Sequence, residues 1–351
     1  METVGSSRRD GRAQAVTNSR DFASQARDFY GGRKVFVTGG TGFVGSHLLR
    51  RLVRCGAHVR ALARASSRPE RLEDVAGQID WAEGNLQAGR QAWARILEGR
   101  EIVFHLAAAG VQADSDSDPR TLVETNVVSL GPLMYACKES ETVQRVVVAG
   151  SCFEYGSFAA ERLSSSHPFR PVTVYSISKL ASTLLAVAYG AHLGIETVAL
   201  RLFHVYGPGE PESRLVPTLI LKALAGERVR LTKGEQIRDF SYVTDVADAF
   251  LRAAMAEMGD QKQRVLNWGS GEPVSVAEVA RMVMDLIPEN GGIELGALPY
   301  RQDEMCRLVP DAREAQEFLG WRAEHSLREG LLETIKVLRR APVAGQRTRN
   351  L

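Results

Sequence analysis

The run Val35-Phe36-Val37-Thr38-Gly39-Gly40-Thr41-Gly42-Phe43-Val44-Gly45 passes from a β-branched stretch through a glycine string into an amphipathic segment, and few folds accommodate that order. Glycines at 39, 42 and 45 let the backbone turn tightly and approach a pyrophosphate, while free amides and the dipole at the start of the next helix favour the anion. A GxxGxxG string alone also occurs in plain structural turns. With a strand before it and the helical segment FVGSHLLRRLVRCG after it, it predicts a dinucleotide-binding βαβ unit in which Gly39, Gly42, Phe43, Val44 and Gly45 contact the cofactor.

The rest of the chain repeats that rhythm. Strands are expected at 35–38, 59–63, 79–84, 102–107, 146–150 and 196–202, with helices over TLVETNVVSLGPLMYACKES and VTVYSISKLASTLLAVAYGAHLG. The pattern predicts an α/β chain: a Rossmann-type doubly wound parallel sheet with a smaller, discontinuous α/β substrate lobe. After Tyr206 the turn-rich GPGEPE breaks the alternation, and YVTDVADAFLRAAM is expected to return a helix to the first lobe. The expected division is 33–206 with 240–262 for the dinucleotide-binding domain and 207–239 with 263–340 for the substrate lobe, between a disordered tail at 1–32 and a flexible C-terminus at 341–351.

Composition narrows the partners. The 351 residues carry 44 basic and 42 acidic side chains, mixed along the chain to a formal charge of +2, so no global field or basic stripe points to nucleic acid or to a membrane surface. Cys55, Cys137, Cys152 and Cys306 are scattered, without the spacing of a zinc site or a disulfide framework, and no metal is expected. Arg8-Arg9 is followed by no apolar run, so a secretory signal is not expected, and reduced thiols suit a cytoplasmic location.

Three more features bear on chemistry. Where a carboxylate would hold an NAD ribose, after the second strand, stand Arg64, Ser66, Ser67 and Arg68, whose cations and hydroxyls suit a 2′-phosphate; NADP(H) is therefore favoured, with NAD(H) possible. Tyr175 and Lys179, four apart on one helix face, can both point at a nicotinamide, and a neighbouring ammonium favours the phenolate. Ser151 ends the strand before that helix, where its hydroxyl can hold a carbonyl or alkoxide against the tyrosine.

TGGTGFVG, VFHLAA, ETNV, SCFEYG, YSISK, RLFHVYGPG, IRDFSYVTDVADAF and the late LGW together resemble the extended short-chain dehydrogenases/reductases of the NAD(P)-dependent epimerase/dehydratase family over roughly 34–338. The resemblance implies that Ser151, Tyr175 and Lys179 are the catalytic trio, with Lys179 also on the nicotinamide ribose. It implies that Asn85 and Leu86 border the adenine and that Leu106, Ala107, Ala108, Asn126 and Phe203 line the remaining groove. At the substrate end, Arg238 and Arg301 are expected to clamp a diphosphate, Leu215 and Val216 to pass the nucleotide base, and His204 to stand where the family usually has Asn. Homodimerisation through a four-helix interface is implied as well.

The residues after Ser151 narrow the reaction. Dehydratases of this family follow the hydroxyl residue with Asp and Glu; Cys152 and Phe153 cannot replace them as acid and base, and Glu154 is expected to alternate away from Ser151. Two reactions remain on a nucleotide-activated sugar: 4-epimerisation with retained NAD, and reduction of a 4-keto group by dissociable NADPH. The missing acid after the second strand favours the reductase. SCFEYG and PYRQDEMCRLVPDA are also similar to reductases of nucleotide-linked 4-keto-deoxysugars, of the CDP-abequose synthase-like and dTDP-4-keto-6-deoxyglucose reductase-like kinds. A non-catalytic cofactor sensor is the alternative of another class, and an intact Ser, Tyr and Lys speak against it.

Overall fold

The computed structural model describes residues 19–67, 69–110, 118–158, 160–301 and 304–340. The expected strands form within two residues of their predicted ends: β1 (Lys34–Thr38), β2 (His58–Ala63), β3 (Asp80–Glu83), β4 (Ile102–His105), β5 (Arg145–Ser151) and β6 (Glu196–Leu202). A seventh strand, Gln263–Trp268, joins the same sheet beside β6, although residues from 263 onward were expected in the substrate lobe. Its sequence QRVLNW offers only two adjacent aliphatic residues, and an edge strand needs no more. The order from that edge is Gln263–Trp268, β6, β5, β4, β1, β2, β3, with every neighbouring pair parallel. The reversal between β1 and β4 opens a crevice at the carboxyl ends of the strands, where such sheets bind ligands.

Burial on both faces explains the apolar runs. Alternation along β1 sends Val35 and Val37 to one side and Phe36 to the other. The first eight α-helices in chain order are α1 (Ser19–Tyr30), α2 (Phe43–Arg54), α3 (Arg90–Leu97), α4 (Pro119–Val123), α5 (Leu130–Glu139), α6 (Val174–Leu193), α7 (Leu215–Leu224) and α8 (Val243–Met255). On one face α1, α2 and α8 pack Phe22, Leu48, Leu49 and Phe250 against Phe104 and Val147. On the other α3, α5 and α6 pack Trp93, Leu133, Met134 and Ala186 against Phe36, Val146 and Val148. The returning helix α8 thus packs on the first of these faces of the large sheet.

The expected tail is in part structure. Phe22, Ala26 and Tyr30, four apart, give α1 one apolar stripe that docks on the sheet's helical layer, and Tyr30 Oη donates to the Leu251 carbonyl at 2.8 Å. The Arg252 guanidinium lies 3.8 Å over the Phe22 ring. The surrounding polar residues hide that stripe from a reading of average composition. Residues 1–18 and the expected flexible end at 341–351 lie outside the described residues.

The smaller lobe is a sheet built around the strand Ile237–Tyr242, which pairs with His204–Tyr206, Pro273–Ser275 and Arg307–Leu308. That central strand crosses the boundary expected at 239/240. Its core gathers Tyr206, Val216, Leu219, Ile220, Phe240, Val279 and Ile335. Among the described residues no helix is long and apolar enough to cross a membrane, and no group of three or more His, Cys, Asp or Glu could hold a metal ion.

Candidate active site

The glycine string forms a cradle that side chains would obstruct. Gly39 has φ +73, and a Cβ there would meet the Ala107 amide nitrogen at 2.6 Å and the Leu106 carbonyl carbon at 2.7 Å. A Cβ on Gly45 would lie 2.1 Å from the Gly39 oxygen. Gly42 is the N-cap of α2, no side chain caps that end, and the helix dipole and first amides are left for an anion. Phe43 and Val44 begin the helix; His47 Nε2 donates to the Pro208 carbonyl at 2.8 Å and ties it to the 207–209 turn. These residues fit a dinucleotide pyrophosphate.

Beyond the cradle a cavity of about 320 Å3 is lined by Thr41, Ala63, Arg64, Ala65, Ser67, Pro69, Trp81 and Glu83. Arg64 is exposed, Ser67 Oγ accepts from the Arg64 amide at 3.2 Å, and Arg68 lies outside the described residues. Parallel pairing sets Glu83 of β3 in register with Ala63, so a carboxylate lines this cavity although none follows β2 in the sequence. Asn85 Oδ1 accepts from the Gln87 amide at 3.0 Å, and Leu86 is buried in the core beside it.

The opposite wall runs through Leu106, Ala107 and Ala108, which follow β4. Ala107 N donates to Thr38 Oγ1 at 3.3 Å, and that hydroxyl lies 2.9 Å from His105 Nδ1. Burial, with the nearby Lys179, pushes His105 down to about 3, so it is neutral. Asn126 sits in a π-helical turn, Glu124–Val128, between α4 and α5. Its Oδ1 accepts from the Ala109 amide at 2.7 Å, and its Nδ2 donates to the Ala109 carbonyl at 3.1 Å and to Ser178 Oγ at 2.9 Å. Its side chain therefore braces the wall. Phe203, expected along the groove, has its ring 1% exposed in the core with Cys152, Tyr155 and Leu308.

Ser151 closes β5, and Tyr175 and Lys179 rise from the first turns of α6, whose N-terminus Thr173 and Ser176 cap reciprocally. Lys179 Nζ donates to the Ala149 carbonyl at 2.6 Å, which holds α6 to the end of β5. Burial raises the Tyr175 phenol above its ordinary value; the Ser151 hydroxyl bonded to it and the Arg214 guanidinium pull it back. The expected help from Lys179 is not among these influences. The Lys179 ammonium is itself disfavoured by burial and supported by Glu154.

Glu154 departs from expectation. The chain leaves β5 through a 3-10 turn, Cys152–Glu154, so Glu154 folds back and its Oε1 accepts from the Ser151 amide at 2.8 Å. Phe153 packs edge-on to Tyr175, centroids 6.2 Å apart, and to His204 at 5.8 Å. Cys152 is buried, and burial pushes its thiol up to about 12.

On the substrate side His204 Nδ1 is buried without a hydrogen-bond partner, and burial with Arg238 and Arg214 keeps the ring neutral. Arg238 is committed to Glu304 at 2.8 Å. Arg301 is exposed. Val216 is buried in the lobe's core, while Leu215 is partly buried at the start of α7. Sequence reasoning missed Arg214, the N-cap residue of α7, although it directly precedes Leu215 and Val216. It missed Glu210 too, whose carboxyl burial pushes up to about 8 against the pull of Arg214.

A profile described as the NAD dependent epimerase/dehydratase family matches residues 35–269. The solved structure of MoeE5 in complex with UDP-glucuronic acid and NAD is 36% identical, with 88% of this chain and 99% of that one covered and a TM-score of 0.78. UDP-glucuronic acid decarboxylase 1 of Xenopus tropicalis is 27% identical over 88% of this chain and 72% of its own length. UDP-glucose 4-epimerase of Corynebacterium glutamicum is 27% identical over 84% of this chain and 92% of its own.

Proposed function

Because this chain belongs to the NAD dependent epimerase/dehydratase family, we propose that it is a nucleotide-sugar 4-epimerase that oxidises the sugar's 4-hydroxyl and reduces the ketone on its other face. The observation that carries this is the pair after Ser151. A thiol held near 12 and a phenyl ring exchange no protons at neutral pH, so elimination of water lacks its acid and base. Reversible oxidation needs neither. NAD, when bound, supplies the hydride acceptor and donor. Tyr175 takes the 4-hydroxyl proton and returns it, Ser151 holds the oxygen, and Lys179 orients the ribose end of the site. Leu106, Ala107, Gly39 and the start of α2 would hold the dinucleotide.

Glu83 favours the epimerase over the 4-ketoreductase that the sequence suggested. A carboxylate in the cavity beside Ala63 accepts from ribose hydroxyls and repels a 2′-phosphate, which supports retained NAD. Arg64 and Ser67, lining the same cavity, are what favour the second reading, NADPH-dependent reduction of a 4-keto-deoxysugar. Arg214 and His204 supply a cationic and a neutral donor for a nucleotide diphosphate. The UDP sugars in the MoeE5 structures make UDP-glucose and UDP-glucuronic acid the first substrates to try. Val123, Val128, Tyr135, Ile177 and Leu184, exposed on α4 to α6, support a homodimer through those helices, which sedimentation would check.

The test is to denature the purified protein, identify the released nucleotide, and follow each UDP sugar by NMR. Interconversion of 4-epimers without net change in NADH supports the proposal. Stoichiometric NADPH consumption by a 4-keto sugar, with no epimer exchange, replaces it by the reductase.

A further inference from the structure

Glu154 and Arg201 form an ion pair for which the chemistry above has no use. Their side chains are 0% and 2% exposed, and Arg201 Nε lies 2.7 Å from Glu154 Oε2. Desolvating two such charges costs more than their attraction returns unless hydrogen bonds satisfy the rest of both groups. Here they do. Glu154 Oε1 accepts from the Ser151 amide at 2.8 Å and from Thr183 Oγ1 at 2.8 Å. Arg201 Nη1 donates to Tyr155 Oη at 3.0 Å and to the Ser165 carbonyl at 3.2 Å, with the guanidinium 4.7 Å over the Phe169 ring. Tyr155 Oη donates on to Asn267 Oδ1 at 2.6 Å. The network thus joins β5, α6, β6 and the edge strand Gln263–Trp268 directly beneath Ser151.

Stability alone does not account for it, since well-packed hydrocarbon in place of a buried pair is often neutral or stabilising. Hydrocarbon could not hold the Ser151 amide. Space around the carboxylate is already full: a Cβ on Gly150 would meet Glu154 Oε1 at 2.9 Å and Thr183 Oγ1 and Arg201 Cγ at 3.1 Å. The same carboxylate supports the charge of the buried Lys179.

We propose that Glu154, held by Arg201, is a positioning residue that fixes the Ser151 backbone so that the serine hydroxyl meets the reacting oxygen beside Tyr175. This rests on the role given to Ser151 in the proposed function. The test compares three forms, each with and without Ser151→Ala: wild type, Glu154→Gln/Arg201→Met, which keeps an oxygen acceptor, and Glu154→Val/Arg201→Met, which removes it.

In the Ser151 background the valine pair is expected to lose kcat by about 100-fold with KM changed by no more than about twofold, the signature of lost positioning. The glutamine pair should recover most of that loss. With Ser151→Ala already present, the valine pair should cost no more than about a further twofold, because its effect runs through the serine. An equal loss in both backgrounds, or no loss in either, overturns the proposal. Should the valine pair not fold, Glu154→Leu/Arg201→Met, which also lacks the acceptor and is closer to glutamate in volume, carries the same cycle and the same exchange measurement, and loss of equal size with and without Ser151→Ala overturns the proposal. Deuterium exchange of the 147–155 segment, without substrate, reads the positioning apart from turnover. Faster exchange in the valine pair is expected, and unchanged exchange overturns the proposal. A wild type inert toward every nucleotide sugar overturns only the assigned reaction.

Discussion

Gly45→Ala sets two effects of opposite sign against each other. Gly45 lies in the first turn of α2, and alanine is favoured over glycine within a helix by about 1 kcal/mol. Yet the new Cβ would sit 2.1 Å from the Gly39 oxygen, 2.8 Å from its carbonyl carbon and 2.9 Å from Gly40 Cα. Carbon and oxygen normally stop at about 3.3 Å, so the cradle must retreat by roughly 1 Å. Gly39 is already wedged at φ +73 against the backbone of Leu106 and Ala107 and has little room to move. Overpacking of this kind costs about 1–3 kcal/mol, so against about 1 kcal/mol of helix preference the collision leaves a net loss of up to about 2 kcal/mol. Thermal unfolding followed by circular dichroism should show Tm lower by up to about 3 °C. Titration calorimetry should show NAD affinity lower by at least about tenfold, or 1.4 kcal/mol, since the displaced backbone is what cradles the pyrophosphate. A variant at least as stable as the wild type, with unchanged NAD affinity, would refute the reasoning.

Tyr175→Phe should keep NAD binding and lose turnover by at least about 100-fold, measured as epimer exchange; full activity would remove its role in proton transfer. Glu83→Gln should shift the ratio of NADP to NAD affinity toward NADP, and Arg64→Ala the opposite way, both read by calorimetry. Phe22→Ala should cost about 3–5 kcal/mol by urea unfolding, because the ring is buried beneath Arg252 rather than in a free tail. The Asp245 carboxylate bonded to His325 raises that histidine's pKa, so its contribution is present below the unfolded value near about 6.5 and is lost as pH rises through the folded value. The stability gap between wild type and His325→Gln should therefore be wider at about pH 6 than at about pH 9.

The parts of the site that could be read from the chain are those whose partners are close in sequence. The glycine string and the helix it starts are adjacent, Tyr175 and Lys179 are one turn apart, and Ser151 ends the strand that leads to them. Strand alternation exposed the sheet for the same reason. The stripe of α1 was just as local, but only three apolar positions in a polar segment carried it, and their worth depended on a distant surface to cover them. The strand Gln263–Trp268 needed only one neighbour in the sheet and so left a weak pattern.

The sequence by itself determined a dinucleotide crevice, its phosphate cradle and a Ser, Tyr and Lys set on one wall, because backbone turns and helix periodicity act over a few residues. Tertiary structure alone decided which charges stand around that set. Parallel pairing brought Glu83 beside Ala63, a 3-10 turn sent Glu154 back to the Ser151 amide, and the second lobe carried Arg214 to Tyr175. These groups meet across long stretches of chain or through a turn that breaks strand alternation, and electrostatics depends on distance in space, which residue spacing does not encode.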